Sequence, residues 1–297
     1  MALLSILSAI ALAENNTMST EKKTLHAPPT AAAIVSGGSS GLGLTIARRL
    51  LQRGYAVTIL GRDSARLADA GDDLIATKAD ASRFQGAVAD ATSAADLQRA
   101  VQSHLDHFQR LDVLVNVVGR SDRGRIDALN ADSLRELFDA NVISALLGSQ
   151  ACLPSLRQSG GVIVNIGSLA SRVAPRYLGG YAIVKHALAG MTRQMRLECE
   201  PDGVHVGLVC PGPIEGNHAA NRYGVDAESG LPDAAAWPGG GAKIRRLTAD
   251  KVADAVLRCI DEREIEIILP GKTRLLMAIN AVSPRWADWI LSRKTAT

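Results

Sequence analysis

Ala31-Ala-Ala-Ile-Val-Ser36-Gly37-Gly-Ser-Ser-Gly41-Leu-Gly43 decides the fold. A short apolar run enters a glycine-rich turn, and Leu44-Thr-Ile-Ala-Arg-Arg-Leu-Leu51 behind it has helical periodicity. Strand, glycine turn and helix form a unit that can receive a pyrophosphate. Without Cβ atoms the turn can tighten, and backbone N–H groups of the turn and helix N-terminus can approach phosphate oxygens. Gly37, Ser39, Ser40, Gly41, Leu42 and Gly43 are therefore candidate dinucleotide-binding residues. Their spacing, Gly-x-x-x-Gly-x-Gly, differs from the common Gly-x-Gly-x-x-Gly fingerprint, so the element context carries the reading.

Downstream, residues 55–60 (Tyr-Ala-Val-Thr-Ile-Leu) read as a second strand, followed by Gly61 and Arg62. An NAD binder places an acid here, on the ribose 2′-hydroxyl; Arg62 instead offers a guanidinium suited to a 2′-phosphate. NADP(H) is preferred, with NAD(H) as the alternative, since Arg62 could simply pair with Asp63. Residues 63–85 are helix-prone, with an interruption expected at Gly71 and Asp72-Asp73. Residues 86–89 read as a third strand, and Asp90 at its end is assigned to the adenine edge, with Asp80 as its rival.

Residues 111–118 form a buried strand that ends on Asn116 and Gly119, at the carboxyl edge where open α/β sheets bind ligands. Residues 134–156 read as one long helix with Asn141 in its middle, where propensity disfavours it. Ser168 follows a strand over residues 161–167. Tyr181 and Lys185 open the next helix, and their i, i+4 spacing puts both on one face. Residues 204–210 are a sixth strand, and Pro211-Gly212-Pro-Ile214 turns over the same edge. The alternation predicts a doubly wound parallel α/β sheet with helices on both faces.

Together, Ser36-Gly-Gly-Ser-Ser-Gly-Leu-Gly43, Asn116-Val-Val-Gly119, Asn141, Ser168, Tyr181-x-x-x-Lys185 and Pro211-Gly resemble the short-chain dehydrogenase/reductase family, over residues 31–270. The resemblance implies a Rossmann-type sheet of seven parallel strands, a nicotinamide dinucleotide, and hydride exchange between alcohol and carbonyl. It makes Tyr181 the general acid/base, with Lys185 lowering its pKa and holding the nicotinamide ribose. Ser168 would bond the substrate oxygen, and Asn141 would help hold a water linking Lys185 to solvent. It also implies a homodimer or homotetramer. Asn116-Val-Val-Gly replaces the family's Asn-Asn-Ala-Gly. Glu215 stands where a threonine commonly binds the nicotinamide carboxamide, so Ile214 is assigned through its N–H alone.

The rest of the chain limits the alternatives. Its 297 residues can bury one large core, and the net charge of +3 comes without any long basic run, which argues against nucleic acid. Cys152, Cys199, Cys210 and Cys259 are widely spaced among apolar neighbours, as reduced core thiols of a cytoplasmic protein would be. His104 and His107 lack further ligands, so no metal is expected.

Residues 1–30 read as a poorly ordered extension, with an interfacial anchor or a secretion signal as the alternatives: the apolar run Met1–Ala13 has no preceding Lys or Arg, is too short to span a bilayer, and is followed by a polar segment from Met18 that reads as an ordinary start. Residues 216–246, with Tyr223 and Trp237, read as a lid over an apolar substrate or as a packing loop. Residues 271–297 read as an apolar tail helix. Docking over the substrate pocket or on another subunit is favoured, and peripheral membrane contact is the alternative. The expected activity is therefore carbonyl–alcohol interconversion on a small or medium apolar substrate. A non-catalytic dinucleotide-binding sensor or scaffold is the competing reading.

Overall fold

The computed structural model describes residues 31–76, 80–215, 231 and 244–294. The expectations for residues 1–30 and nearly all of the 216–246 excursion lie outside these described residues. Seven parallel strands form one sheet in the order β3-β2-β1-β4-β5-β6-β7. They are β1 (Ala32–Ser36), β2 (Ala56–Gly61), β3 (Phe84–Val88), β4 (Val113–Asn116), β5 (Val162–Ile166), β6 (His205–Pro211) and β7 (Glu266–Leu269).

Nine α-helices are found among the described residues. They are α1 (Gly41–Gln52), α2 (Ser64–Ala76), α3 (Ala94–Phe108), α4 (Ala131–Phe138), α5 (Ser144–Ser159), α6 (Tyr181–Cys199), α7 (Ala249–Glu262), α8 (Arg274–Val282) and α9 (Pro284–Lys294). The central strands are buried on both faces, which explains their near-continuous apolar sequences. Successive side chains serve opposite layers: Val35 joins α1 and α7 through Ile46, Leu50, Val252 and Val256, while Ile34 joins α3 and α5 through Leu97, Val101 and Leu156.

One polar chain crosses the second layer. Asn116 and Asn165 face each other in the β4–β5 register. Asn116 Nδ2 donates to Asn165 Oδ1 at 2.9 Å, and Asn165 Nδ2 donates to Thr192 Oγ1 on α6 at 2.9 Å. Thr192 donates in turn to Leu188 O. All three side chains are buried, so each bond replaces water that the core excludes.

Three segments differ from the sequence expectations. Helix α2 runs through Gly71, whose missing Cβ would sit 2.9 Å from Phe84 Cε1; this glycine admits β3 rather than ending the helix. The single helix expected over residues 134–156 is α4 and α5 joined by a π turn, Asp139–Ile143. The tail is two helices, because Pro284 cannot extend α8 and instead begins α9.

Candidate active site

The order of the sheet reverses between β1 and β4, the position at which doubly wound folds bind ligands. A cleft of about 1930 Å³ opens there. Its floor is the glycine turn: Ser39, Ser40, Gly41, Leu42 and Gly43 line it with Gly37. Gly37 and Gly41 have φ of +75° and +54°, where a side chain would be strained. A Cβ on Gly43 would lie 2.1 Å from Gly37 O, so only glycine lets α1 start this close to the turn. The first turn of α1 contains no acid, and Ser40 makes no side-chain cap. The helix N-terminus therefore presents its N–H groups and positive dipole end to the cleft, which suits a pyrophosphate.

Arg62 and Asp90 also line the cleft. Asp63 does not neutralise Arg62: it accepts from Ala65 N and Arg66 N at the start of α2, and its ion-pair partner is Arg66 at 3.5 Å. Asp90 accepts from both N and Oγ1 of Thr92, and these bonds hold its carboxyl below the usual range. Asp80 binds Ser82 at an exposed turn and does not line the cleft. Pro211, Gly212 and Ile214 do line it, and a backbone bridge from Ile214 to Leu247 holds that segment.

Asn116 requires correction. Its side chain turns away from the cleft into the β4–β5–α5 layer, donating to Ala145 O and Ser149 Oγ as well as Asn165. A Cβ on Gly148 would lie 2.8 Å from Asn116 Oδ1, so α5 approaches closely enough to enclose the amide. The cleft is lined instead by Val117, Val118 and Gly119.

Ser168, Tyr181, Lys185 and Asn141 converge on the cleft. Ser168 leaves the end of β5 and caps a 3-10 turn, Leu169–Ser171: its Oγ accepts from Ala170 N at 3.1 Å, and Ser171 Oγ accepts from Ser168 N. Tyr181 is the first residue of α6. One turn on, Lys185 is only 4% exposed; its Nζ donates to Ile166 O at 3.0 Å and lies 5.7 Å from the centre of the Tyr181 ring.

Asn141 occupies the π turn. Such turns insert a residue into a helix and redirect its side chains, often at functional sites. Its Nδ2 donates to Leu137 O and Arg120 O, while its buried Oδ1 has no hydrogen-bond partner among the described residues. That oxygen faces Gly119, where a Cβ would lie 2.7 Å from it and 3.4 Å from Lys185 Nζ.

Sequence reasoning assigned no site role to Arg66, in the first turn of α2, or to Arg120, Ser121 and Arg123 after Gly119; all line the cleft. Leu276, Met277, Ile290 and Leu291 of the tail line it too, as do Val173 and Leu178. Asn280 donates to Arg172 O at 3.2 Å, and the Arg172 guanidinium forks onto Glu266 at 2.7 and 2.8 Å. The tail is thereby tied to the turn that Ser168 begins.

Elsewhere, His104 is buried between Thr58 Oγ1 and Arg110 O, and burial pushes its pKa down to about 4. No cluster of three metal-ligating side chains occurs among the described residues. All four cysteines are free and buried. No described helix is long and apolar enough to cross a membrane.

A Rossmann-type sheet whose switch point carries a phosphate-ready turn beside Ser, Tyr and Lys defines a class of dinucleotide-dependent oxidoreductases. The short chain dehydrogenase family model matches residues 31–224, and the chain belongs to that family. An uncharacterised oxidoreductase of Methylorubrum extorquens is 33% identical over 201 residues, covering 67% of this chain and 80% of the relative. A variant of actinorhodin polyketide ketoreductase solved with NADPH superposes with a TM-score of 0.71 at 25% identity, covering 82% of this chain and 96% of that one. A Burkholderia phymatum short-chain dehydrogenase/reductase in complex with NAD gives 0.72 at 22% identity, covering 86% and 94%.

Proposed function

We propose that the protein interconverts a carbonyl and an alcohol on a small or medium apolar substrate, with NADP(H) as the hydride carrier. The observation that carries this reading is the convergence of Ser168, Tyr181 and Lys185 on the cleft that the glycine turn floors. When bound, the nicotinamide supplies or accepts the hydride. Ser168 Oγ accepts from Ala170 N, which leaves its hydroxyl proton to donate to the substrate oxygen and stabilise charge developing there. Tyr181 gives its phenolic proton to that oxygen in reduction and takes it back in oxidation. Lys185, held against Ile166 O, steadies the phenolate, and Asn141 Oδ1 provides an acceptor for a water relay from Lys185 to solvent.

NADP(H) is assigned over NAD(H) because Arg62 and Arg66 line the cleft just past the end of β2, where the one acid between them, Asp63, is engaged by Ala65 N and Arg66 N rather than held for a free 2′-hydroxyl. The NADPH-bound ketoreductase and the NAD-bound dehydrogenase both share the fold, so cofactor choice rests on these side chains. Residues 31–270 constitute the catalytic domain, and Leu276, Met277, Ile290 and Leu291 of the tail contribute the apolar ceiling that favours an apolar substrate. The enzyme works in the cytoplasm as a homodimer or homotetramer, with exposed Ile183 and Leu197 on α6 as apolar positions for pairing. The exposed Leu275, Val282, Trp286 and Trp289 suit at most a peripheral membrane contact.

Turnover of a ketone panel by Tyr181→Phe tests the reading. Loss of general acid catalysis should lower kcat by about 10²- to 10⁴-fold while NADPH still binds. Wild-type turnover would refute the mechanism. A wild-type protein that binds NADPH but turns over no carbonyl or alcohol would favour a sensor.

A further inference from the structure

Helix α6 begins with Tyr181 but carries no cap of its own. Its N-cap residue is Gly180, which has no side chain to accept a hydrogen bond, and its first turn contains no acid. The missing acceptor comes from a loop 58 residues earlier: Asp122 Oδ2 accepts from Gly180 N at 2.8 Å. The other oxygen, Oδ1, accepts from Arg123 N at 2.7 Å, which fixes the carboxylate plane.

The surrounding backbone is shaped to admit this carboxylate. Gly179 has φ of +53°, and a Cβ there would lie 2.2 Å from Asp122 Oδ2. Gly124 N donates to Tyr177 O, Gly179 N donates to Gly124 O, and Gly124 and Leu178 form a parallel bridge. Tyr177 adopts φ of +64°, a conformation that costs a non-glycine residue about 1 kcal/mol or more, so the surroundings hold it there. On its other side the same loop is held by Asn141 Nδ2, which donates to Arg120 O at 3.0 Å. Residues 120–122 thus form a strut between the π turn of Asn141 and the first turn of α6.

We infer that Asp122 is a positioning residue that caps the catalytic helix from a distant loop and sets where Tyr181 stands. It does not line the cleft, so its effect passes through Gly180 to the neighbouring tyrosine. This rests on the assignment of Tyr181 as the acid/base. A first turn that frays or shifts by about 1 Å misplaces the phenol, an error that can cost roughly 10²-fold in rate.

The test compares Asp122→Ala with Asp122→Asn, which keeps an oxygen acceptor. It follows kcat with a ketone, NADPH affinity by fluorescence titration, and hydrogen exchange over residues 177–184. The expected result for Asp122→Ala is a kcat about 10- to 100-fold lower with NADPH affinity unchanged and exchange in the first turn of α6 accelerated. Asp122→Asn should restore both kcat and protection to near wild type. Unchanged exchange in Asp122→Ala would overturn the inference, and so would equal damage in both variants or a parallel loss of NADPH affinity. Tyr181→Phe, assayed alongside, separates the two readings. If it is inactive while Asp122→Ala keeps full kcat, only the capping role fails. If it keeps turnover, the acid/base reading fails and the exchange data still judge the cap.

Discussion

Asn141 Oδ1 and Gly119 fix each other's identity: a Cβ on Gly119 would lie 2.7 Å from that oxygen, and Asn141 cannot swing aside freely because its Nδ2 is bonded to two carbonyls. Gly119→Ala should therefore act by displacing Asn141, and Asn141→Ala should act at the same place. Each single variant should lower kcat by roughly tenfold or more, and the double variant should be little worse than either, because contacting residues do not add. A double-mutant cycle on kcat checks this; additive losses would show that the two sites act independently.

Arg62→Ala should shift cofactor choice. A charge-assisted contact contributes about 1.5–3 kcal/mol, so NADP affinity should fall roughly 10- to 100-fold while NAD affinity changes little. Titrating both cofactors into both proteins gives the ratio, and an unchanged ratio removes Arg62 from the 2′-phosphate site. Arg66→Ala should show a smaller shift in the same direction, because its guanidinium already faces Asp63.

Leu276→Ala and Ile290→Ala should open the ceiling without disturbing the floor. Removing apolar contact from a substrate pocket costs about 1–3 kcal/mol, so KM for an apolar ketone should rise roughly tenfold or more. NADPH affinity should stay constant, since neither residue belongs to the glycine turn. Steady-state kinetics with ketones of increasing chain length measure the effect, and an unaltered KM throughout would place the substrate elsewhere in the cleft.

His104 gives the fold an acid sensitivity distinct from catalysis. Its folded pKa is pushed down to about 4 by burial, below the unfolded value of 6.5. The unfolded chain therefore binds the extra proton first. Stability contributed by the neutral imidazole is fully present above pH 6.5 and is lost as pH falls toward 4, by about 3 kcal/mol at most. Tm measured from pH 7.5 to 4.5 should fall more steeply for the wild type than for His104→Asn.

Much of the candidate site was legible because its signals are local. The glycine turn, Tyr181 with Lys185, and Ser168 after β5 each follow from a motif and the element that carries it. Asn116 was placed at the correct sheet edge, but strand position does not say which layer a side chain enters; Gly148 on α5 settles that through contact across 32 residues. The π turn was hidden because its sequence has ordinary helical periodicity, and the unusual asparagine was its only local mark. The cap from Asp122 was illegible for the same reason: nothing near residue 122 refers to residue 180. The break in the tail was readable in principle from Pro284, although its inward face needed the fold.

The amide pair of Asn116 and Asn165 also acts as a proofreading device during assembly. Parallel strands as apolar as β4 and β5 have little in their side chains to distinguish the correct pairing from one displaced along the strand. In the native register Asn116 Nδ2 donates to Asn165 Oδ1, and Asn165 Nδ2 hands the chain on to Thr192. A slip of one residue would turn one amide to the opposite face and strand both in an apolar layer, at about 1–3 kcal/mol for each unpartnered group. The misaligned sheet is thereby penalised at its centre, where hydrophobicity alone would leave it nearly equal to the native one.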